Sequence, residues 1–546
     1  MKIYYYLIGI IFCLLLIKIN VNAQNKNYYG FSKTYFYSED SLRRYGNFFY
    51  KNLLLQNSNN FIINATWLDS RGKRITEWIK IDSKGNVLRR ETDSIENSSY
   101  MLGDIIIAQN GSNSLFAPGW FYNKVTKISS SRIQKRDTTL NLIWEKDFSF
   151  GVDTSINKNT LLQLDDGSLI QIVNLALKDS ITSSTRKLFI HLIKTDSLGN
   201  LIWRKEIDKN EWNNTNSAIL GNDGNILFSS MTSGYGVSTV GAGFVMKIDT
   251  AGNKIWHKVY NLPDYNGLEK IIATDDGNYI CAGWARVIPE ISNMPNGAGR
   301  LLKIDEIGNI IWDKIIDFSD REESFRTLVL GNIGDIVAFG STNKYYAYDI
   351  YNYEVGSTRE PDGWAIRLDE EGNVKWSRVF GHNATPYAHE YLYGATALPD
   401  GGFIASGCTQ IYDSVWSNDA YIYGRRQVGW VVKLDSMGCM GPGCPEMLSD
   451  YIDSMNNPKP PINHITEITL YPNPGKDVAT LENKAGFSTN AYYYISDMQG
   501  KINQDLTRIG DQTQVKIDLR GHASGNYIIR VYHDYNYYTF KYSKTE

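Results

Sequence analysis

The stretch Phe244-Val245-Met246-Lys247-Ile248-Asp249-Thr250-Ala251-Gly252-Asn253-Lys254-Ile255-Trp256-His257-Lys258 reads as two alternating strands joined by a tight turn. Gly252 supplies the left-handed position that a three-residue hairpin turn demands. Relatives of its first strand are Trp78-Ile79-Lys80-Ile81-Asp82, Leu192-Ile193-Lys194-Thr195-Asp196, Leu302-Lys303-Ile304-Asp305, Ile366-Arg367-Leu368-Asp369 and Val432-Lys433-Leu434-Asp435. In the second repeat the matching strand is Val125-Thr126-Lys127-Ile128, followed by a longer loop to Ile143-Trp144. The strand after the turn carries one recurring rung, at Phe31, Leu88, Trp144, Trp203, Trp256, Trp312 and Trp376, aromatic everywhere except Leu88. Successive gaps of 57, 56, 59, 53, 56 and 64 residues define a period long enough for four short strands.

The rest of each period is a second hairpin, as in Ile271-Ile272-Ala273-Thr274-Asp275-Asp276-Gly277-Asn278-Tyr279-Ile280-Cys281-Ala282-Gly283. It recurs at Leu164-Asp165-Asp166-Gly167, Leu220-Gly221-Asn222-Asp223-Gly224, Leu330-Gly331-Asn332-Ile333-Gly334 and Leu398-Pro399-Asp400-Gly401-Gly402, with degenerate copies near Gln56 to Phe61 and Gly103 to Ile107. Asp and Asn bond nearby backbone amides in such turns. Four antiparallel strands repeated seven times make an all-β, seven-bladed β-propeller, whereas a sandwich needs no strict period. The ends fit each other. Phe31-Ser32-Lys33-Thr34-Tyr35 matches the pattern of Trp203-Arg204-Lys205-Glu206-Ile207 but has no preceding hairpin partner, and Trp430 to Asp435 has no following strand. The N-terminal strand is therefore expected to complete the last blade and close the ring without a bare edge.

At 546 residues the chain exceeds one ordinary domain, which fits a large ring and something small. A net charge of −3 with mixed signs offers no basic stripe, which makes nucleic acid and anionic membrane poor partners on electrostatic grounds. Lys2 and the apolar run Leu7 to Ile17, ending in Val21-Asn22-Ala23 before Gln24, read as an export signal over residues 1–23 cleaved between Ala23 and Gln24. The run is too short for a membrane span, so none is expected after cleavage. Phe12 before Cys13 argues against a lipoprotein cysteine. Of the remaining four cysteines, Cys439 and Cys444 flank a short Gly-rich loop and are expected to pair in an exported chain. Cys281 and Cys408 lie in apolar strands and read as small buried thiols.

The repeats, over residues 28 to 444, resemble the secreted multi-repeat propellers common in Bacteroidota, a resemblance that implies fold and lifestyle but no chemistry. The C-terminal stretch is more diagnostic. Leu470-Tyr471-Pro472-Asn473-Pro474, Ile495-Ser496-Asp497-Met498-Gln499-Gly500-Lys501, Ile517-Asp518-Leu519 and Gly525-Asn526-Tyr527-Ile528-Ile529-Arg530-Val531 follow in order. They resemble the type A sorting domain of type IX secretion over residues 468–546, a small β-sandwich. The resemblance implies the type IX machinery as a partner, passage across the outer membrane and a secreted or cell-surface location, with Tyr471, Pro472, Asn473, Pro474, Gly500, Gly525 and Tyr527 as motif residues. Residues 445–467, with Pro445, Pro458, Pro460 and Pro461, read as the linker.

Catalytic motifs are sparse. The Asp-x-x-Gly-Asn-x-x-Trp unit has neither the sialidase Asp-box spacing nor that of quinone-dependent dehydrogenase propellers, and reads as a turn with a packing Trp. The Asp-Asp-Gly turns hold too few oxygens for calcium. His382 and His389-Glu390 have no third ligand nearby in sequence, so neither metal nor cofactor is expected. No Gly-x-Ser-x-Gly elbow or phosphate loop appears.

Strand alternation puts both tight turns of every repeat on one face of the ring and both longer connections on the other. That second face receives 342–362, with Tyr345, Tyr346, Tyr348, Tyr351 and Tyr353, and 410–427, with Tyr412, Trp416, Tyr421 and Tyr423. Loop aromatics are ligand platforms, or they pack over one another to hold long loops. The expectation is a non-catalytic binding module for glycan or protein. The alternative is a secreted carbohydrate-active enzyme, a glycosidase or lyase with acids scattered across blades. A passive spacer is the third reading.

Overall fold

The computed structural model describes residues 30–546 except 36–48, 58–59, 69–73, 96–97, 110–113, 153, 178–186, 208–212, 234–240, 263–264, 288–295, 317–322, 332–333, 344–346, 349–353, 356–361, 381–389, 418–419, 441–467, 488–490, 498–501 and 534–535. The expected signal segment and linker lie outside them. The fold is all-β. Between Phe31 and Leu434 the described strands form seven sheets, five of four strands and two with additional short strands. We number them 1 to 7 in chain order.

Sheet 4 shows the plan: Asn213–Leu220, Ile226–Thr232, Ala242–Ile248 and Lys254–Tyr260, each antiparallel to the next. In sheets 3 to 7 the first strands pack on one another in succession, and that of sheet 7, Tyr391–Ala397, packs on that of sheet 1, Phe49–Asn57; in sheet 2 the first strand, Ser98–Leu102, packs on inner strands of sheet 1. The arrangement is propeller-like. The N-terminal strand Phe31–Tyr35 pairs antiparallel with Ala420–Leu434 as fourth strand of sheet 7, Thr34 opposite Trp430.

Seven apolar clusters lie between successive sheets, one per seam. Phe228, Phe244 and Met246 of sheet 4 meet Ile172 and Leu192 of sheet 3, and Tyr35 and Val431 of sheet 7 meet Phe61 and Ile79 of sheet 1. Burying one such side chain contributes about 1.5–3 kcal/mol.

The repeated residues are explained by contacts across these seams. Asp249 Oδ1 accepts from the Ala251 and Asn253 amides, and Gly252 donates to the Asp249 carbonyl, closing the turn. Lys247, two residues before the Asp, donates to the Glu306 carbonyl in the matching turn of sheet 5. The same bond links Lys80 to Thr138, Lys194 to Thr250, Lys303 to Glu370, Arg367 to Ser436 and, closing the circle, Lys433 to Ser83. The rungs sit on the next turn: a Cβ at Gly252 would lie 2.9 Å from the Trp203 ring, and Trp144, Trp256, Trp312 and Trp376 lie against Gly199, Gly308, Gly372 and Gly438 in the same way. Two residues past the rung, Lys205 and Lys258 reach the Asn253 and Asn309 side chains, and Lys33 reaches Asn86 at 2.9 Å. The N-terminal strand thus makes the fourth-strand contact of sheet 7 onto sheet 1.

Two expectations are corrected. The third strand of sheet 2 is Ile128–Asp137, not Val125 to Ile128, and its turn is Asp137 to Asn141 rather than a longer loop. Leu140 holds the positive-φ position (φ 77°), so the glycine that marks the other turns is missing there. Residues 410–427 are not a loop: they extend the strands Phe403–Ser417 and Ala420–Leu434 as a paired ribbon.

The C-terminal strands form a three-stranded and a four-stranded sheet. Ala479, Leu481 and Ile517 of the first share one core with Tyr493, Ile495, Ile529 and Val531 of the second.

Candidate functional site: a collar in the ring

Each of the seven first strands carries one more residue than the strand it pairs with, at the same height. Leu268 faces Gly283 and Lys270 faces Ala282, leaving Glu269 extra. Equivalent bulges leave Lys51, Asn157, Asn216, Arg326 and Tyr393 extra, and sheet 2 gains its residue within 103–105. A bulge re-aims its side chain away from the sheet. In sheets 5, 6 and 7 a glycine stands opposite: a Cβ at Gly283, Gly340 or Gly407 would lie 2.0, 1.8 or 1.7 Å from the carbonyl oxygen of Gly267, Ser324 or Tyr391.

The re-aimed residues and their neighbours form a polar collar. Lys158 of sheet 3 donates to Asn216 Oδ1 of sheet 4 at 3.0 Å, and Asn216 donates to the Leu268 carbonyl of sheet 5 at 2.9 Å. Glu269 Oε1 accepts from Arg326 of sheet 6 at 3.0 Å. Two contacts skip sheets and so cross the lumen: Lys158 to Glu269 at 4.0 Å, and Lys270 of sheet 5 to Asp104 of sheet 2 at 3.9 Å. The Arg326, Lys270 and Lys158 side chains keep 33%, 30% and 27% of their surface exposed, so the collar is reachable from solvent.

An aromatic pair adjoins it. Trp284 Nε1 donates to Glu269 Oε1 at 3.3 Å, and the Tyr265 ring lies 4.8 Å from that of Trp284. The Trp284 ring rests over Gly267, the residue before the bulged turn of chain. Both rings are half-buried. Tyr393 packs beside Tyr391 with ring centroids 5.8 Å apart, and burial, then the Cys408 thiol, push its phenol well above the ordinary range.

Deeper in the same region lie buried carboxyls. Glu323 and Glu390, at corresponding places in sheets 6 and 7, accept from Thr342 at 2.7 Å and Thr409 at 2.8 Å. Asp362 is raised well above the usual carboxylate range, first by burial and then by the charge of Glu390. Arg300, fully buried, fastens the seam between sheets 4 and 5 through Asp313, Asn266 and the Tyr260 carbonyl.

Of the aromatics singled out in the sequence, Tyr345, Tyr346, Tyr351 and Tyr353 lie outside the described residues. Tyr348 belongs to the short strand Ala347–Tyr348, opposite Glu354 and Phe380. Tyr412 pairs with Arg425, Ser414 with Tyr423 and Trp416 with Tyr421. This register places positions 412, 416, 421 and 423 on one face of the ribbon. His382, His389 and Cys444 are outside the described residues; Cys439 is disulfide-bonded, and Cys281 and Cys408 are buried free thiols. Among the described residues no group of three metal-ligating side chains converges, and no helix is long and apolar enough to cross a membrane.

In the tail, Asn473 holds the end of the chain: its Nδ2 donates to the Lys541 carbonyl at 2.6 Å and its Oδ1 accepts from the Ser543 amide at 3.0 Å. Pro472 and Pro474 flank it, and Tyr471 is exposed with its hydroxyl on Glu482 at 3.1 Å. Tyr527, buried, donates to the Ala523 carbonyl at 2.6 Å, and Gly525 pairs with Lys544; Gly500 lies outside the described residues.

No curated protein matches the sequence. Among solved structures the chain is similar to puromycin hydrolase (9% identity, 82% of this chain and 59% of that one, TM-score 0.42). It is also similar to an ulvan lyase (9%, 78% and 99%, 0.40) and to the Penicillium chrysogenum alpha-L-arabinanase complexed with arabinobiose (12%, 59% and 90%, 0.35). The chain spans about three fifths of the puromycin hydrolase it matches. The secretion system C-terminal sorting domain family matches residues 469–544. The C-terminus is thus a type IX secretion sorting tail, and the chain is an exported protein of the cell surface or the surrounding medium.

Proposed function

We propose that the exported protein, of the kind Bacteroidota secrete, is a seven-bladed β-propeller over residues 28–444, closed by its N-terminal strand. A linker at 445–467 joins it to a β-sandwich sorting domain at 468–546. The propeller acts as a non-catalytic binding module for glycan or protein. The observation that carries this reading is the collar: its carboxylates, Asp104 and Glu269, are each tied to a cation, Lys270 or Arg326, an arrangement suited to holding a ligand rather than to acid–base exchange. Aromatic positions 412, 416, 421 and 423 on one ribbon face add a platform on the same side of the ring. Replacing Tyr346, Tyr351 and Trp416 together by Ala is expected to abolish binding on a glycan array or in a pull-down while leaving the melting temperature nearly unchanged. A fall in stability with binding intact would remove the platform from the proposal.

One observation favours a carbohydrate-active enzyme instead. Asp362, its carboxyl raised well above the usual range by burial and by the charge of Glu390, makes with Glu390 the kind of carboxyl pair that divides acid and base roles. Release of reducing ends from a polysaccharide panel, lost in Asp362→Asn and Glu390→Gln, would establish that reading and displace the first.

A further inference from the structure

The collar holds three described cations, Lys158, Lys270 and Arg326, against two carboxylates, Asp104 and Glu269. At the level of the bulges three cations meet two carboxylates, while Glu323 and Glu390 lie buried and are bonded to Thr342 and Thr409; low-dielectric walls focus the field of the exposed cations. Arg326 spends one guanidinium nitrogen on Glu269, while its Nε is buried with no acceptor among the described residues. A buried donor left so is an uncommon feature. Beside this charge stand the half-buried rings of Trp284 and Tyr265, joined to it through the Trp284–Glu269 bond.

A planar, tilted aromatic pair stacks against the C–H face of a pyranose ring. A guanidinium with two ammonium groups receives a carboxylate or sulfate. We infer that the collar and the Trp284–Tyr265 wall form a binding site for an anionic saccharide, its acidic substituent on Arg326 and Lys270 and its ring face on Trp284. The inference rests on the binding-module reading and narrows it. A neutral sugar satisfies the wall but leaves the cations without new partners. An acidic peptide satisfies the cations but lacks the flat C–H face.

Isothermal titration of the full chain with four probes tests the site: tetragalacturonic acid, a sulfated carrageenan tetrasaccharide, neutral cellotetraose and a short poly-glutamate. Binding of either anionic sugar at least tenfold tighter than cellotetraose and poly-glutamate supports the proposal, and the two arms tell carboxylate from sulfate. Affinity should fall at least tenfold in Arg326→Gln and in Lys270→Gln, and fall again between 50 and 500 mM salt, on the order of a several-phosphate contact. Lys270, whose carboxylate partner Asp104 stands 3.9 Å away, keeps the test valid should Arg326→Gln fold poorly; melting curves report on both. Equal binding of cellotetraose, tighter binding of poly-glutamate, or anionic binding unaffected by both substitutions overturns the site. A neutral glycan or protein that binds the wild-type chain while neither anionic sugar does would leave the binding module standing and remove this inference alone. Silence towards every probe, on the glycan array and in the pull-down would remove both.

Discussion

A methyl group at Gly407 would lie 1.7 Å from the Tyr391 carbonyl oxygen, and one at Gly340 1.8 Å from that of Ser324, closer than any backbone contact permits. These glycines are demanded by the bulges opposite them, not by their own backbone angles. Gly407→Ala is therefore expected to destabilise by about 3 kcal/mol, as overpacking against rigid backbone does. Gly331→Ala, where the nearest atom would be 3.6 Å away, is expected to be nearly neutral. Thermal denaturation of the two variants compares them directly; equal melting temperatures would refute the bulge account. The same residues show what was hidden in the sequence. The extra residues Lys51, Asn157, Asn216, Glu269, Arg326 and Tyr393 share no chemistry, so no motif marks the collar. Only their spacing, and the glycine that follows two small residues in Cys281-Ala282-Gly283 and Ala405-Ser406-Gly407, carries the signal.

The hairpin turns were legible because their chemistry is local. Asp, Gly and Asn at fixed offsets satisfy the turn's own amides wherever the repeat occurs, as Asp196 does with the Asn200 and Leu198 amides. Where Leu140 replaces Gly, the signature vanished although the turn did not. The ribbon at 410–427 was misread for a related reason: it lacks a turn signature, and pairing to a neighbouring strand is a property of the sheet. The turns also predict an acid response. Donation from the Asn200 side chain and amide holds Asp196 below the usual carboxylate range, and at Asp249 the Asn253 and Ala251 amides and the Asn253 side chain outweigh a raising effect of burial. A carboxyl lowered in the folded state adds stability that is complete above its unfolded value near 3.9 and is lost as pH falls through the native value. The urea midpoint should thus fall between pH 5 and pH 2. In Asp249→Asn the fall should be shallower, at a cost of no more than about 1 kcal/mol at pH 7 for so exposed a group.

At the scale of the molecule, the ring rests on repeated seam contacts, and the N-terminal strand supplies one of them. Trp430 Nε1 donates to Ser32 Oγ at 2.8 Å and Tyr35 donates to the Gly85 carbonyl at 2.9 Å. Deleting residues 28–38 removes the ladder on Gly429 to Lys433 and leaves sheet 1's own four strands paired. Amide exchange is expected to accelerate more along Ala420–Leu434 than along Arg74–Asp82; equal loss in both would argue against strand 31–35 belonging energetically to sheet 7.

That strand also has a consequence in time. A ribosome makes Phe31 about four hundred residues before Lys433, the residue it finally faces. Until then the ring is an open arc with one finished edge waiting, and each intermediate exposes an apolar seam of the kind that aggregates. The strand that closes sheet 7 is made long before its partner, so the ring cannot close until Ala420–Leu434 has been made and shares a compartment with it.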